Sequence, residues 1–396
     1  MLSKRAENIM PSATAVVTAI VEDLTAQGVP VIGLNVGEPD FPTPAHVAEA
    51  CYQALREGKT KYAQTAGLEV LRAAVCRKLK KDNGLDYTPA QIVLTTGAKQ
   101  AVYEALQALV SDGDEVIIPT PCWVSYTEMV KLAGGVPVFV KTQPGTFGLD
   151  VDAVRAAVTE KTKAVILNTP NNPTGAVYTE EALRELGELA VERDFYVIAD
   201  EIYEKLVYNG KKHVSIASFS PEIYAHTVTI NGFSKAYAMT GWRLGYLAAP
   251  LPIAKAAVKI QGHLTSCSTV FVQWAAIAAL EGPQETVEMM RQEFDRRRIW
   301  LQAALNEIPG ISCAEADGAF YLMPKVSAYY GKTAPDGSVI KDSSDLCTYL
   351  LKAEHVALVP GNAFESPEEV RIAYANSMEN IQEAAARIKK ALAALK

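Results

Sequence analysis

The chain has few of the features that mark several protein classes. Its six cysteines, at 51, 76, 122, 267, 313 and 347, form neither a C-x-x-C pair nor a zinc spacing. No stretch reaches the roughly 18 consecutive apolar residues that a membrane-spanning helix needs. The first residues, MLSKRAENIM, lack the apolar segment of a secretory signal. We therefore expect reduced thiols, no metal, no membrane and a cytoplasmic location, although a targeting peptide removed earlier would leave no trace.

Basic residues are also in the minority. The chain has 38 Lys and Arg residues against 45 Asp and Glu residues, which gives a formal net charge of −7. General binding to nucleic acid needs basic surface, so this balance argues against a nucleic-acid partner. The densest basic run, DRRR at 295–298, lies in a helical pattern and is interpreted as a solvated helix face.

Three nucleotide and metal motifs are missing as well. The sequence contains no G-x-G-x-x-G, no G-x-x-x-x-G-K-[ST] and no H-E-x-x-H. Nicotinamide chemistry, phosphoryl transfer by a P-loop and zinc hydrolysis therefore have no support from motifs.

The middle of the chain alternates between helix-like segments and short runs rich in Val and Ile. These runs are QIVLTTG (91–97), DEVIIP (114–119), VPVFV (136–140), KAVILN (163–168), DFYVIAD (194–200), TVTING (227–232) and LGYLAA (244–249). Apolar strands separated by helices predict an α/β fold with a mostly parallel, seven-stranded sheet covered on both faces. Ligands bind such sheets beyond the carboxyl ends of the strands.

The pattern changes near residue 285, where ETVEMMRQEFDRRRIWLQAALNEI predicts one long amphipathic helix. We expect a large domain over 45–285. A smaller α+β domain is expected from the N-terminal segment 1–44 together with 286–396.

The segment NGFSKAYAMTGWRLGY (231–246) raises a question about its two cations. Lys235 lies among small and aromatic residues, and Arg243 is flanked by Gly241 and Gly245. Lysine is almost never fully buried without a partner. Either Lys235 reaches the surface, or the fold holds its amine inside for a chemical purpose.

Other unusual residues also follow predicted strands. Gly97 stands between a strand and a helix, NTPNNPTG (168–175) follows another strand, and Asp200 ends a third. Taken singly, these are compatible with a turn, a second turn and a helix N-cap. Taken together, they match three chemical groups of one ligand. The helix N-terminus at Gly97 and the Arg243 side chain suit a phosphate, and a buried Asp200 carboxylate suits a protonated ring nitrogen. The Lys235 amine suits an aldehyde. Pyridoxal 5′-phosphate carries all three groups.

At this point a family resemblance becomes specific. The motifs SKxxxMTGWRxGY, NNPTG and DEIY resemble those of class I aminotransferases, the fold type I pyridoxal-phosphate enzymes. The resemblance runs from PSAT (11–14) and VGEPDF (36–41) to VPGNAF (359–364) and VRIAYA (370–375). Within the family the sequence is most similar to prokaryotic-type aspartate aminotransferases.

The resemblance implies roles around the cofactor ring. Lys235 would form the covalent imine link and carry the proton in catalysis. Asp200 would pair with the ring nitrogen. Tyr203 and Asn172 would hydrogen-bond the phenolic oxygen, and Trp123 of PCWVSY would stack on the ring.

The resemblance also implies a phosphate site shared between two subunits. Backbone at Ala98 and Lys99 and the side chain of Arg243 would hold the phosphate, while Ser234 would either contact it or serve packing alone. Tyr62 would reach the phosphate from the neighbouring subunit, which implies a homodimer with composite sites.

For the substrate, the resemblance makes Arg371 the clamp for the α-carboxylate, together with Asn172, Trp123 and Gly37. Without the family pattern, a surface salt bridge would be the simpler reading of Arg371.

Three further residues match positions that bind an acidic side chain in the prokaryotic-type enzymes: Ser12, Thr14 and Lys99. The chain departs from many relatives in having Ala98 before Lys99. It also has Met10 before PSAT, where members that accept prephenate tend to carry a basic residue, so prephenate activity is in doubt.

The predicted function is a ping-pong transfer of the amino group of L-aspartate to 2-oxoglutarate, giving oxaloacetate and L-glutamate. An alanine, aromatic or broad-range aminotransferase is the first alternative. The second is a binding or regulatory protein that keeps this fold without catalysing transamination.

Overall fold

The computed structural model describes residues 2–396. Its strands are β1 (Ile32–Gly33), β2 (Ile92–Thr95), β3 (Glu115–Thr120), β4 (Val136–Lys141), β5 (Thr162–Asn168), β6 (Tyr196–Asp200), β7 (Thr227–Gly232), β8 (Gly245–Ala248), β9 (Tyr321–Leu322), β10 (Val356–Ala357), β11 (Val359–Pro360) and β12 (Val370–Ala373). Its helices are α1 (Lys4–Glu7), α2 (Ala13–Ala26), α3 (Ala45–Arg56), α4 (Glu69–Asn83), α5 (Ala98–Leu109), α6 (Ser125–Leu132), α7 (Val151–Ala157), α8 (Glu180–Arg193), α9 (Pro221–Ala225), α10 (Leu251–Leu264), α11 (Val270–Glu281), α12 (Glu285–Asn306), α13 (Ser343–Glu354) and α14 (Met378–Ala393). Among these described helices, none combines the length and the apolar character needed to span a bilayer.

A seven-stranded sheet forms the centre of the fold, in the order β2-β8-β7-β6-β5-β3-β4. Strand β8 runs antiparallel to both of its neighbours, and the other pairs are parallel. The predicted α/β class and the seven predicted runs are confirmed, with bounds that differ by a few residues.

Helices cover both faces of this sheet. Because successive side chains of a strand point to opposite faces, Ile166 packs in the cluster with α5, α6 and α10, whereas Val165 packs in the cluster with α7 and α8. Ile198 and Val197 divide in the same way. Burial on both faces explains why the strands are apolar throughout rather than alternating.

The carboxyl ends of the parallel strands meet along one edge. Gly97 follows β2, Asp200 ends β6, and Lys235 follows β7. Arg243 comes just before β8, and since β8 is antiparallel its amino end lies at the same edge. The sheet thus gathers residues that are distant in sequence.

Two small sheets lie in the last third of the chain, and one of them includes a strand from the N-terminal segment. Strand β1 pairs in parallel with β10, and β11, β12 and β9 form an antiparallel sheet. Helix α12, predicted from its amphipathic pattern, packs Phe294 and Leu301 into the same core as Ile32 and Ile381. The division at 45 and 285 remains a prediction, since this core also takes in Tyr203.

The interpretation of DRRR as a solvated face is wrong for two of its arginines. Arg298 is 2% exposed and donates to Asp295 at 2.9 Å and to Asn209 at 2.8 Å. Arg297 is 5% exposed and pairs with Asp40 at 2.7 Å. The local spacing could not reveal partners such as Asp40, which are far away in sequence.

These arginines allow a matched test of stability. We expect Arg298→Ala to lower the free energy of unfolding by about 2 kcal/mol, because removal of one partner from a largely buried ion pair is costly. The exposed neighbour Arg296 is the control, and Arg296→Ala should leave the urea midpoint unchanged. Urea unfolding is followed by tryptophan fluorescence. If both variants lose the same free energy of unfolding, the stabilising role of the buried Arg298 is contradicted.

Candidate functional site

A cavity of about 690 Å³ opens at the carboxyl edge of the large sheet. Such a volume is typical of a small-molecule site. All but one of the predicted site residues line it, and they are Ser12, Thr14, Gly37, Ala98, Lys99, Trp123, Asn172, Asp200, Tyr203, Ser234, Lys235, Arg243 and Arg371. Tyr62 lies outside the cavity and is 91% exposed. The sequence therefore predicted a set of residues that the fold does bring together.

The amine of Lys235 lies inside this cavity. Its Nζ donates to the backbone carbonyl of Gly37 at 2.5 Å. Burial lowers the pKa of Lys235 to about 8; the positive charges of Arg371 and Arg243 act in the same direction, while Glu38 opposes them. A substantial fraction of the amine is therefore neutral near physiological pH, as a nucleophile or base must be.

Asp200 presents a carboxylate that is 4% exposed at the end of β6. Its Oδ2 accepts a hydrogen bond from the Tyr126 hydroxyl at 2.7 Å, and its Oδ1 accepts one from the N–H of Ile202 at 3.2 Å. Burial raises the pKa of Asp200 to about 6, and the bond from Tyr126 opposes that effect. At neutral pH the group is mostly a buried carboxylate, suited to a protonated ring nitrogen.

An anion cradle lies at the start of α5. Gly97 is the N-cap residue with φ of 82°, a conformation that favours glycine. A Cβ at this position would overlap the guanidinium of Arg243, so the glycine allows the arginine to approach the helix N-terminus. Arg243 is held by the Thr240 carbonyl at 2.9 Å. Helix N–H groups beside a guanidinium form a site for phosphate.

A second cation and two hydroxyl residues lie elsewhere along the cavity. Lys99 Nζ is 4.9 Å from the centroid of the Trp123 ring. Desolvation, and then the charge of Arg243, lowers the pKa of Lys99. Ser12 and Thr14 line the cavity at the start of α2, and Thr14 Oγ1 is buried without a hydrogen-bond partner.

Arg371 of β12 is 2% exposed. Its Nη1 donates to Asn172 Oδ1 at 3.1 Å, and its Nη2 donates to the carbonyl of Asn35 at 2.6 Å. Its Nε is buried without a partner, and no residue that the structure describes forms a salt bridge with it. A buried guanidinium without an acidic partner fits a carboxylate that arrives with a ligand.

Sequence reasoning missed two tyrosines of the cavity. Tyr126 lies three residues after Trp123 in the same PCWVSY motif, just inside the start of α6, and this spacing could have suggested that the two rings meet. Tyr321 contacts Tyr203 and Arg371 from the short strand β9. No local pattern around Tyr321 marked it.

A separate group of titratable side chains lies outside the lining of this cavity. Glu201, Glu204 and His213 have potential metal-ligand atoms within 4.8 Å of one another. However, Glu204 is already paired with the ammonium of Lys78, and Glu201 accepts a bond from Ser215 at 2.6 Å. Because Lys78 already balances the charge of Glu204, this group of side chains does not need a metal ion.

The donors of the main cavity fit pyridoxal phosphate. The anion cradle at Gly97 leaves no room for a Cβ beside Arg243, the Asp200 carboxylate is buried, and the partly buried Lys235 amine has a pKa lowered to about 8. Phosphate, protonated ring nitrogen and aldehyde each find a group of matching charge or reactivity.

Comparison with known proteins agrees with this chemistry. Residues 29–388 match the family described as aminotransferase class I and II. An aspartate aminotransferase of Bacillus subtilis is 47% identical over 390 residues, which are 98% of this chain and 98% of that protein. An aspartate/prephenate aminotransferase of Cereibacter sphaeroides is 43% identical over 100% of this chain and 99% of its own.

Solved structures agree as well. The crystal structure of the aspartate aminotransferase from Rhizobium meliloti superimposes with a TM-score of 0.96, at 39% identity and with 100% of both chains covered. Both the sequence and the fold therefore match along the whole length, and the chain belongs to the class I and II aminotransferases, enzymes that depend on pyridoxal 5′-phosphate.

Proposed function

We propose that this aminotransferase moves the amino group of L-aspartate to 2-oxoglutarate by a ping-pong mechanism, with oxaloacetate and L-glutamate as products. The observation that carries the proposal is a cavity with two cations, Arg371 and Lys99, that form no salt bridge with any residue that the structure describes. Aspartate, glutamate and their oxo acids each have two carboxylates. The names of the relatives support the same choice.

In this proposal Arg371 binds the α-carboxylate. Its Nη atoms are engaged by Asn172 and Asn35, so the guanidinium is already oriented before the substrate arrives, and its Nε remains available. Lys99, with Ser12 and Thr14, binds the second carboxylate. The distance between these two groups then selects dicarboxylic substrates.

The cofactor, when bound, supplies a carbonyl that links covalently to amines and a protonated ring that withdraws electrons. Asp200 keeps the ring nitrogen protonated, and the Tyr126 hydroxyl helps to keep Asp200 ionised. Trp123, which lines the cavity, would stack on one face of the ring and exclude water. Tyr203 and Asn172 donate hydrogen bonds to the phenolic oxygen.

Lys235 has two tasks. Its amine would hold the cofactor at its carbonyl carbon, and the same amine would move the proton at the substrate α-carbon. A pKa near 8 suits both tasks, because the neutral amine is the reactive form and its conjugate acid can return the proton.

We further propose a homodimer whose sites are shared. Tyr62 is 91% exposed on the loop before α4, and large apolar side chains nearby in sequence, such as Tyr52 and Leu55, are exposed on α3. A second copy of the chain would cover these side chains and place its Tyr62 at the phosphate of the first copy. The cytoplasmic location remains a prediction.

An aromatic or alanine aminotransferase is the alternative within the family. Such an enzyme would also need Arg371 but would have no use for a cation at the position of Lys99. This difference separates the two hypotheses.

The first prediction concerns the reactive lysine. Apoprotein mixed with pyridoxal phosphate and reduced with borohydride should carry the label on Lys235, as found by peptide mapping. The labelling rate should rise with pH to a midpoint near 8, because the pKa of Lys235 is lowered to about 8 and the protonated amine does not react. A midpoint above about 10, the value for an ordinary lysine, would contradict the proposal, as would a label on another lysine.

The second prediction tests the substrate. Lys99→Ala should reduce kcat/KM for aspartate by about 10- to 100-fold, the cost of a lost hydrogen bond between charged groups. Turnover of alanine and phenylalanine should fall far less. The exposed Lys389 of α14 serves as control, and Lys389→Ala should change none of the three rates. Equal losses on all three substrates would exclude Lys99 as the side-chain contact.

The third prediction tests the shared site. Tyr62→Ala and Lys235→Ala proteins should each be weakly active or inactive. When they are unfolded together and refolded at equal amounts, activity should recover toward about a quarter of the wild-type value, because half of the dimers are mixed and each has one intact site. Activity no greater than that of the separate variants would contradict a contribution from the partner.

A further inference from the structure

Tyr321 touches three different parts of the site. It lies on β9 and is 1% exposed. Its hydroxyl oxygen is 2.8 Å from the hydroxyl oxygen of Tyr203, and its ring centroid is 4.6 Å from Cζ of Arg371. Its hydroxyl also lies against Gly37, where a Cβ would overlap it.

We propose that Tyr321 is a positioning residue with two separable roles: its hydroxyl orients Tyr203 toward the cofactor, and its ring orients Arg371 toward the substrate carboxylate. The proposal rests on the roles given above to Tyr203 and Arg371.

The first role follows from the hydrogen-bond inventory. A tyrosine has one O–H to donate, so Tyr203 can donate to the phenolic oxygen of the cofactor only when Tyr321 donates to Tyr203. Both hydroxyls are buried, and burial raises the pKa of each, which keeps both protonated. When the Tyr321 hydroxyl is the donor of this bond, the Tyr203 proton is free for the cofactor.

The second role follows from the surroundings of Arg371. Its two Nη atoms are engaged by Asn172 and Asn35, but these bonds alone do not cover the faces of the guanidinium. The Tyr321 ring packs against it at 4.6 Å and Phe364 at 4.9 Å. Aromatic contacts fix the plane of the guanidinium and offset part of its desolvation.

The contact with Gly37 connects Tyr321 to the reactive lysine. The carbonyl of Gly37 accepts the hydrogen bond from Lys235 Nζ. A side chain at Gly37 would push against the Tyr321 hydroxyl and displace this carbonyl. The position of the amine is therefore coupled to that of the tyrosine.

Two substitutions separate the roles. Tyr321→Phe removes the hydroxyl and keeps the ring, whereas Tyr321→Leu removes both. The measurements are the pH midpoint of the visible absorbance of the bound cofactor, the affinity for pyridoxal phosphate, and the affinity of the holoenzyme for maleate, a dicarboxylate that cannot react.

For Tyr321→Phe we expect the absorbance midpoint to move in the same direction as in Tyr203→Phe, but less. Its affinity for pyridoxal phosphate should fall about three- to tenfold, as for one lost hydrogen bond, with maleate affinity nearly unchanged. For Tyr321→Leu we expect maleate binding to weaken about tenfold as well. A midpoint unmoved by Tyr321→Phe while Tyr203→Phe moves it would overturn the first role. Equal maleate affinities for the Phe and Leu variants would overturn the second.

Wild-type binding of maleate checks the proposed dicarboxylate site independently of Tyr321. If the wild type fails to bind maleate, the proposed substrate is wrong, and the second role is then measured with acetate, which needs Arg371 alone. Equal acetate affinities for the two variants would likewise overturn that role.

A double-mutant cycle tests the contact itself, even where Tyr321→Leu folds poorly. Gly37→Ala should lower the affinity for pyridoxal phosphate strongly in the wild type and clearly less in the Tyr321→Phe background, where the overlapping hydroxyl is gone. If Gly37→Ala lowers the affinity for pyridoxal phosphate by the same factor in both backgrounds, the two residues do not meet, and the proposal is overturned.

Discussion

An excess of positive charge at one edge of the large sheet is the constraint on which the site depends. Lys99, Lys235, Arg243 and Arg371 all line one cavity, and the same lining contains three carboxylates, those of Glu22, Glu38 and Asp200. Arg371 is buried, and Lys235 is partly buried. Holding these like charges close together is unfavourable unless anions enter, which supports the proposal that the cavity binds a phosphate and carboxylates. The same repulsion helps to lower the pKa of the Lys235 amine into the range where it can react.

The sheet provides the rigid support that this charge requires. Strands β2, β6 and β7 end at the same edge, and antiparallel β8 begins there, so three segments converge at this edge: the segment after β2, the segment after β6 and the one that joins β7 to β8. Gly97 shows how closely they approach, since no Cβ fits between α5 and Arg243. The last third of the chain then adds Arg371 and Tyr321 from β12 and β9. The site is therefore complete only when sequence-distant segments have packed.

Much of the fold could be read from local pattern. The seven apolar runs predicted the strands because burial on both faces requires continuous apolar residues, and α12 was visible from its helical period. Arg297 and Arg298 show where this reasoning fails. Helical spacing predicts which residues share a face, but whether that face meets water or acids such as Asp40 depends on segments hundreds of residues away.

The sequence by itself determined the fold class, the alternation of strands and helices, and the short motifs that carry Lys235, Asp200, Asn172 and Arg243, because these depend on local periodicity and on side-chain chemistry. Tertiary structure alone decided that Tyr126 meets Asp200 and that Tyr321 lies between Tyr203 and Arg371. It also decided that Arg371 has no acidic partner among the residues described here. The physical reason is that desolvation and hydrogen bonding act through space, and a residue's neighbours in space are set by packing rather than by its neighbours in the chain.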